Sequence, residues 1–199
     1  MTMTFEPTNN VTPADNVPGA KQGEWTYSHY AALPNHGQRY EIIAGVLYMA
    51  PPSPTGWHQM AVGLLYYHLM THVKFGGLGE VYVAPFDVEL TPTTVVQPDV
   101  LVLLHEHREK WTPSRIVGAP DLVVEVISPR TAGYDRGEKY HAYARSGVKE
   151  YWIVDPGEKT IEVFFLEADT YYAEGIFRGE ERLRSQVIPN FPVQVQQLF

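Results

Sequence analysis

One stretch constrains the fold of this chain more than any other: residues 120–156, PDLVVEVISPRTAGYDRGEKYHAYARSGVKEYWIVDP. PDLVVEVIS is a short apolar run, rich in β-branched residues and bounded by prolines, which is the pattern of a buried strand. YDRGEKYHAYARSG is polar with a helical period and stops at Gly147, a residue type that readily takes the left-handed cap. KEYWIVDP is a second apolar run ending at a turn. Two strands joined through a helix pair in parallel by a right-handed crossover, so the stretch predicts an α/β sheet. Glu125 interrupts the first strand. A lone carboxylate buried among apolar residues is costly unless a metal ion or a lysine accompanies it.

The preceding chain supplies candidates for both. TYSHYAALP reads as a short helix ending at Pro34, and QRYEIIAGVLYMAPP as a hairpin about Ala44-Gly45. Glu41 lies in the first arm, where alternation permits a solvent-facing carboxylate. From Thr55 to Phe75, Trp57, Met60, Ala61, Leu64, Leu65 and Leu69 follow helical spacing, with Thr55 as the cap. His58 falls at the start of this helix, as a capping or core histidine. His68 and His72 are four apart, a spacing that can chelate zinc, although the glutamate of a zinc-protease motif is missing. EVYVAPFDVEL is expected as one long strand bent at Pro85, and VVQPDVLVLL as the next, carrying Asp99 directly after Pro98. Residues 105–119 read as a polar loop in which His105 and His107 are solvated, although two histidines beside Glu106 could bind a metal adventitiously. Beyond the central stretch, TIEVFFLE, TYYAEGIFRG and ERLRSQVI are expected to form an antiparallel meander, followed by a short tail.

The element order is therefore helix, three-strand meander, helix, strand, with flanking β-hairpins. Asp99 and Glu125 are expected on neighbouring or nearby strands of that meander, and a divalent cation between them would resolve their burial. Magnesium prefers oxygen ligands and often binds through one or two carboxylates plus substrate phosphate, which is chemistry suited to phosphodiester hydrolysis. Asp121 is a rival partner for Glu125. Four residues along one strand, however, separate them by about 13 Å, too far to share an ion easily. On the helix, Asp135, Lys139 and Tyr143 fall near one face. Either Asp135 and Lys139 form a surface pair worth ~0.3–0.5 kcal/mol, or that face turns inward and brings the ammonium to Glu125, where it would orient or activate a nucleophile.

The residues Pro98-Asp99, Glu125 within EVIS, and the run from Tyr134 through Asp155 resemble the Uma-two family of restriction-endonuclease-like proteins, in the PD-(D/E)xK nuclease superfamily. The resemblance extends from about Tyr40 to the C-terminus and includes YEIIAG, SPTGWH and APFDVEL. It implies a restriction-endonuclease-like core, with Asp99 and Glu125 as metal ligands and Glu41 as an additional acidic position. The superfamily lysine expected two residues after the glutamate is Ile127 here, and Lys139 on the following helix is the matching position. The implied activity is a magnesium-dependent endonuclease acting on DNA, with manganese as a substitute for magnesium. A catalytically inactive nucleic-acid- or protein-binding scaffold on the same fold is the alternative.

The 199 residues fit a single domain, expected over 24–199 after a disordered tail at 1–23. The chain has no cysteine, which excludes disulfides and thiolate metal sites and agrees with a cytoplasmic location. It lacks an apolar run of membrane-spanning length and an N-terminal secretory signal. A formal net charge of −8 argues against broad attraction to nucleic acid and requires any such contact to be local. Two-fold association into a homodimer is expected on general grounds, since it is the commonest assembly and could address both strands.

Overall fold

The structure is a computed structural model that describes residues 11–34, 37–50 and 55–199. In chain order it contains α1 (Tyr27–Ala31), β1 (Tyr40–Ile43), β2 (Val46–Met49) and α2 (Gly56–Leu69), which runs on into a π-turn at Met70–Lys74. There follow β3 (Gly79–Val83), β4 (Asp87–Thr91), β5 (Thr94–Val96) and β6 (Val100–Leu104). A 3-10 turn at His105–Lys110 leads to β7 (Arg115–Val117), β8 (Leu122–Val126) and α3 (Ala132–Tyr134). A second π-turn, Asp135–Lys139, joins α3 to α4 (Tyr140–Ser146). The chain then forms β9 (Glu150–Asp155), β10 (Thr160–Glu167), β11 (Thr170–Arg178) and a final 3-10 turn at Val195–Leu198.

The predicted α/β core is present. β3, β6 and β8 are antiparallel neighbours, and β8 pairs in parallel with β9 across the helical connection. These strands belong to a six-stranded sheet of order β11-β10-β9-β8-β6-β3. Both long strands expected between residues 80 and 104 are broken, however. In the register of β3 and β6, where Val83 opposes Val100, Pro85 falls opposite Pro98. Proline has no N–H to give to a ladder, so pairing cannot continue through that level. Beyond it, β4 and β5 turn away into a second sheet of order β2-β1-β5-β4-β7. Asp99 therefore stands where the chain passes from one sheet to the other.

The two faces of β8 show the period-two alternation of a strand. Val124 and Val126 pack with Leu65 and Leu69 of α2, whereas Val123 and Ile127 pack with Tyr143 of α4 and Ile116 of β7. Glu125 shares the second face. The β1–β2 hairpin turns through Ala44 (φ 51°) and Gly45 (φ 77°), the left-handed pair that matches strand twist.

Four further segments differ from expectation. Residues 11–23, expected as disordered tail, lie against the hairpin: Val11 and Ala14 are buried, and the Ala14 N–H donates to the Leu47 carbonyl at 2.8 Å. Ala14 and Trp25 form a small core with Ile42, Leu47 and Val95, which is what holds the segment down. Residues 1–10 lie outside the described residues. Residues 105–119 are not a plain loop, because β7 pairs in parallel with β4. ERLRSQVI does not form a strand; its Arg182 makes only an isolated bridge with Gln194. The meander instead consists of β9, β10 and β11. The last residues are no loose tail either, since Val193, Val195 and Leu198 are buried beneath the main sheet.

Candidate active site

The junction between the sheets encloses a cavity of about 770 Å³ whose walls include Glu41, Asp99, Glu125, Asp135, Lys139 and His58. Glu41, Asp99, Glu125 and Lys139, the four residues expected to carry the chemistry, therefore line one cavity. Each arrives from a different element for a local reason. Extending the antiparallel register of Val100 with Val124 by one residue sets Asp99 opposite Glu125. The β1 alternation turns Glu41 inward, where the backbone N–H of Gln97 donates to its Oε1 at 2.8 Å. Glu41 is only 6% exposed, which overturns the reading of a solvent-facing carboxylate.

Lys139 reaches the centre. Its Nζ lies 2.9 Å from Glu125 Oε1, 3.0 Å from Glu41 Oε1 and 3.8 Å from Asp135 Oδ1. Asp135 and Lys139 are both buried, so the inward alternative holds and the surface pair does not. The π-turn that carries them is a wide helical turn of a kind often found at functional sites. Tyr143, one turn further on, donates its hydroxyl to the same Glu125 oxygen at 2.6 Å.

The electrostatics follow from three buried acids around one ammonium, with the partly buried Asp99 beside Glu125. Burial pushes the Glu125 carboxyl well above the usual glutamate range, with Lys139 pulling against it and Asp135, Asp99 and Glu41 adding to it. Burial likewise pushes Asp135 up to about 7, again opposed by Lys139. Desolvation works against the Lys139 charge, but Glu125, Glu41 and Asp135 together hold it well above the ordinary lysine range. The site is thus short of positive charge.

Its donor set fits a hard divalent cation. Both contacts of Glu125 fall on Oε1, and both contacts of Asp99, from the Val126 N–H at 2.8 Å and His58 Nε2 at 3.2 Å, fall on Oδ2. Among the described residues the second oxygen of each carboxylate takes no such contact, and oxygen donors of this kind suit magnesium. Glu41, Asp99 and Glu125 do not close within 4.8 Å of one another as a threesome; the group that does so among the described residues is Glu106, His107 and Asp121. That group belongs to the far end of β8. There the rival Asp121 accepts from the Leu104 N–H at 2.9 Å and faces His107 at 2.9 Å, while Lys149 stands 3.3 Å away. Its charge is already met by those partners. His107, expected to be solvated, is one of them. The pair His68 and His72 joins no group of three ligand residues among the described residues, and the His72 ring packs edge-on against Phe191 at 5.5 Å.

Sequence reasoning overlooked two residues here. His58 reads as a cap because it follows Thr55 by three, and its N–H does bond the Thr55 hydroxyl. Nothing local ties its ring to Asp99, forty-one positions later. Tyr134 reads as one more aromatic of the helix, yet it lines the cavity and its hydroxyl is buried without a hydrogen-bond partner.

Comparison with known proteins bears on this arrangement. A family model described as "Uma2: Putative restriction endonuclease" matches residues 27–196. An uncharacterized protein of Synechocystis is 32% identical over 92 residues, covering 46% of this chain. The match spans 47% of that relative's own length, about half. Among solved structures, a protein of Anabaena variabilis described as a "putative nuclease belonging to DUF820" superposes with a TM-score of 0.72 at 19% identity, covering 88% of this chain and 97% of that one. The last likeness shows the fold, which is restriction-endonuclease-like.

Proposed function

The chain belongs to the Uma2 family, and from that premise we propose that it is a metal-dependent endonuclease that hydrolyses phosphodiester bonds in DNA, with magnesium as its ion and manganese as a substitute. The observation that carries this reading is the convergence of Asp99, Glu125, Glu41 and Lys139 on one cavity at the sheet junction. Asp99 and Glu125 would hold the ion with their remaining oxygens, and Glu41 would assist directly or through bound water. When bound, the cation would neutralise a phosphoryl oxygen and make bound water a better nucleophile.

The chain's own residues do the rest. Val126 N–H and His58 keep Asp99 in one orientation. Tyr143 and Lys139 do the same for Glu125. Lys139 keeps its proton among these acids and can present N–H donors to an attacking water or a phosphate oxygen, which positions the nucleophile. A homodimer would set two such cavities against the two strands of a duplex, and light scattering of the purified protein tests that part separately.

Supercoiled plasmid incubated with magnesium or manganese tests the reading, with wild type set beside E125A and K139A. Nicking by wild type alone is the expected outcome. Equal nicking by all three preparations would mean a contaminating nuclease and reject the assignment. The scaffold alternative has the acidic balance of the chain in its favour. Calorimetry separates the two, because folded protein that binds neither ion at millimolar concentration would favour the scaffold.

A further inference from the structure

Folded proteins satisfy nearly all of their buried polar atoms, and each exception asks what partner is meant for it. Among the described residues, two buried side-chain atoms have none, His58 Nδ1 and Tyr134 Oη, and both residues line the catalytic cavity. Tyr134 is 2% exposed. Its ring is held by Tyr48 at 5.1 Å between centroids, with Lys139 Nζ 5.6 Å from the ring centre. Burial, followed by the charge of Glu41, keeps the phenol well above its usual range, so the oxygen carries its hydrogen. It is a donor beside several carboxylates, and none of them takes that hydrogen.

Two guanidinium groups, Arg39 and Arg130, line the same cavity, the first half-buried and the second exposed. Neither forms an ion pair among the described residues, whereas Arg115 and Arg136 are each committed to a glutamate. In a chain of net charge −8, donors without acceptors on a cavity wall suit an anion whose oxygens accept hydrogen bonds. We propose that Tyr134, Arg39 and Arg130 form a phosphate subsite of this cavity, with the buried phenol as its innermost donor and a phosphodiester as its ligand. The choice of phosphodiester rests on the nuclease reading; the presence of an oxyanion subsite rests on the unpaired donors.

The test uses Y134F and R130A. A short fluorescein-labelled DNA duplex is titrated with calcium in place of magnesium and followed by anisotropy. In parallel, melting temperatures are measured without divalent ions, with and without inorganic phosphate. Loss of a hydrogen bond to a charged oxygen is expected to weaken duplex binding by Y134F about tenfold to a hundredfold. R130A is expected to reduce the salt dependence of binding by about one phosphate contact. Ligand-free Y134F is expected to melt at or above the temperature of wild type, because the hydroxyl it loses bonds to nothing. Duplex affinity unchanged in Y134F would overturn the subsite, and so would a lower melting temperature in the ligand-free variant, which would reveal a structural partner. Should wild type ignore the duplex while phosphate raises its melting temperature and not that of Y134F, the subsite stands and the nuclease reading falls. Response to neither probe removes both.

Discussion

Asp135 illustrates how a single side chain couples this cavity to the solution around it. The unfolded carboxyl titrates near 3.8, and burial moves the folded one up to about 7. Between those values the folded state keeps a proton that the unfolded state has released, so this residue makes stability fall as pH rises through the window. Asparagine cannot ionise. D135N without metal is therefore expected to gain stability over wild type above the window and to show no such gain below it, as urea melts taken on either side would show. A gain of equal size at both pH values would mean that the substitution acts through packing alone. Glu150 marks the limit of reasoning from buried acids. It is 0% exposed and opens the apolar strand β9, where Glu125 sits inside β8. Yet it lies outside the cavity, and its burial is met by the Trp152 indole, the Ser185 hydroxyl and the backbone N–H groups of Gln186 and Val187, which all donate to it. A carboxylate in an apolar run announces that something must satisfy it. Whether that is a cation or a set of donors is decided by segments far away in the chain.

Among the elements, the C-terminal segment and the hairpin show what these bonds hold. Through Glu150, β9 grips residues 185–187, which would otherwise have no ladder to join. E150A leaves three or more buried donors without an acceptor and is expected to destabilise the fold by about 3 kcal/mol or more, measured by urea denaturation. The β1–β2 hairpin depends on Gly45 twice over. Its φ of 77° is strained for any side chain, and a Cβ there would stand 2.3 Å from the Gly23 carbonyl oxygen. G45A is expected to cost about 1–3 kcal/mol and to loosen the docked segment around Trp25, visible as a shift in tryptophan fluorescence before global unfolding. Such elements were legible in outline. The hairpin, α2, β8, the helix behind Lys139 and β9 all follow from periodicity and punctuation, and their resemblance to a family added the roles. The break of two long strands at Pro85 and Pro98 was not legible, because each proline alone reads as a bend. Only their facing positions in the ladder turn two bends into a change of sheet.

For the whole molecule, the consequence is an acid-lined cavity at the seam of two sheets, and metal binding should be felt as global stability. An ion that binds only the folded state stabilises by about 2.7 kcal/mol at a hundred times its dissociation constant. Manganese is accordingly expected to raise the melting temperature of wild type in a concentration-dependent manner and to leave that of E125Q nearly unchanged, as differential scanning calorimetry would show. An equal rise in both would place the ion elsewhere, with the Glu106, His107 and Asp121 group the first place to look.

By itself the sequence determined the parallel crossover of β8 and β9, the inward face of the helix carrying Lys139 as one of two options, and the acids worth watching. These follow from local forces, since strand and helix periods and the penalty for an unpaired charge act within a few residues. Tertiary structure decided what each of those acids meets: Lys139 and Tyr143 at Glu125, a set of backbone donors at Glu150, His107 and Lys149 at Asp121. It also brought His58 to Asp99 and left the Tyr134 hydroxyl facing no partner. Hydrogen bonds act over about 3 Å, and no pattern in the chain records which distant residues the folding of two sheets will bring within that reach.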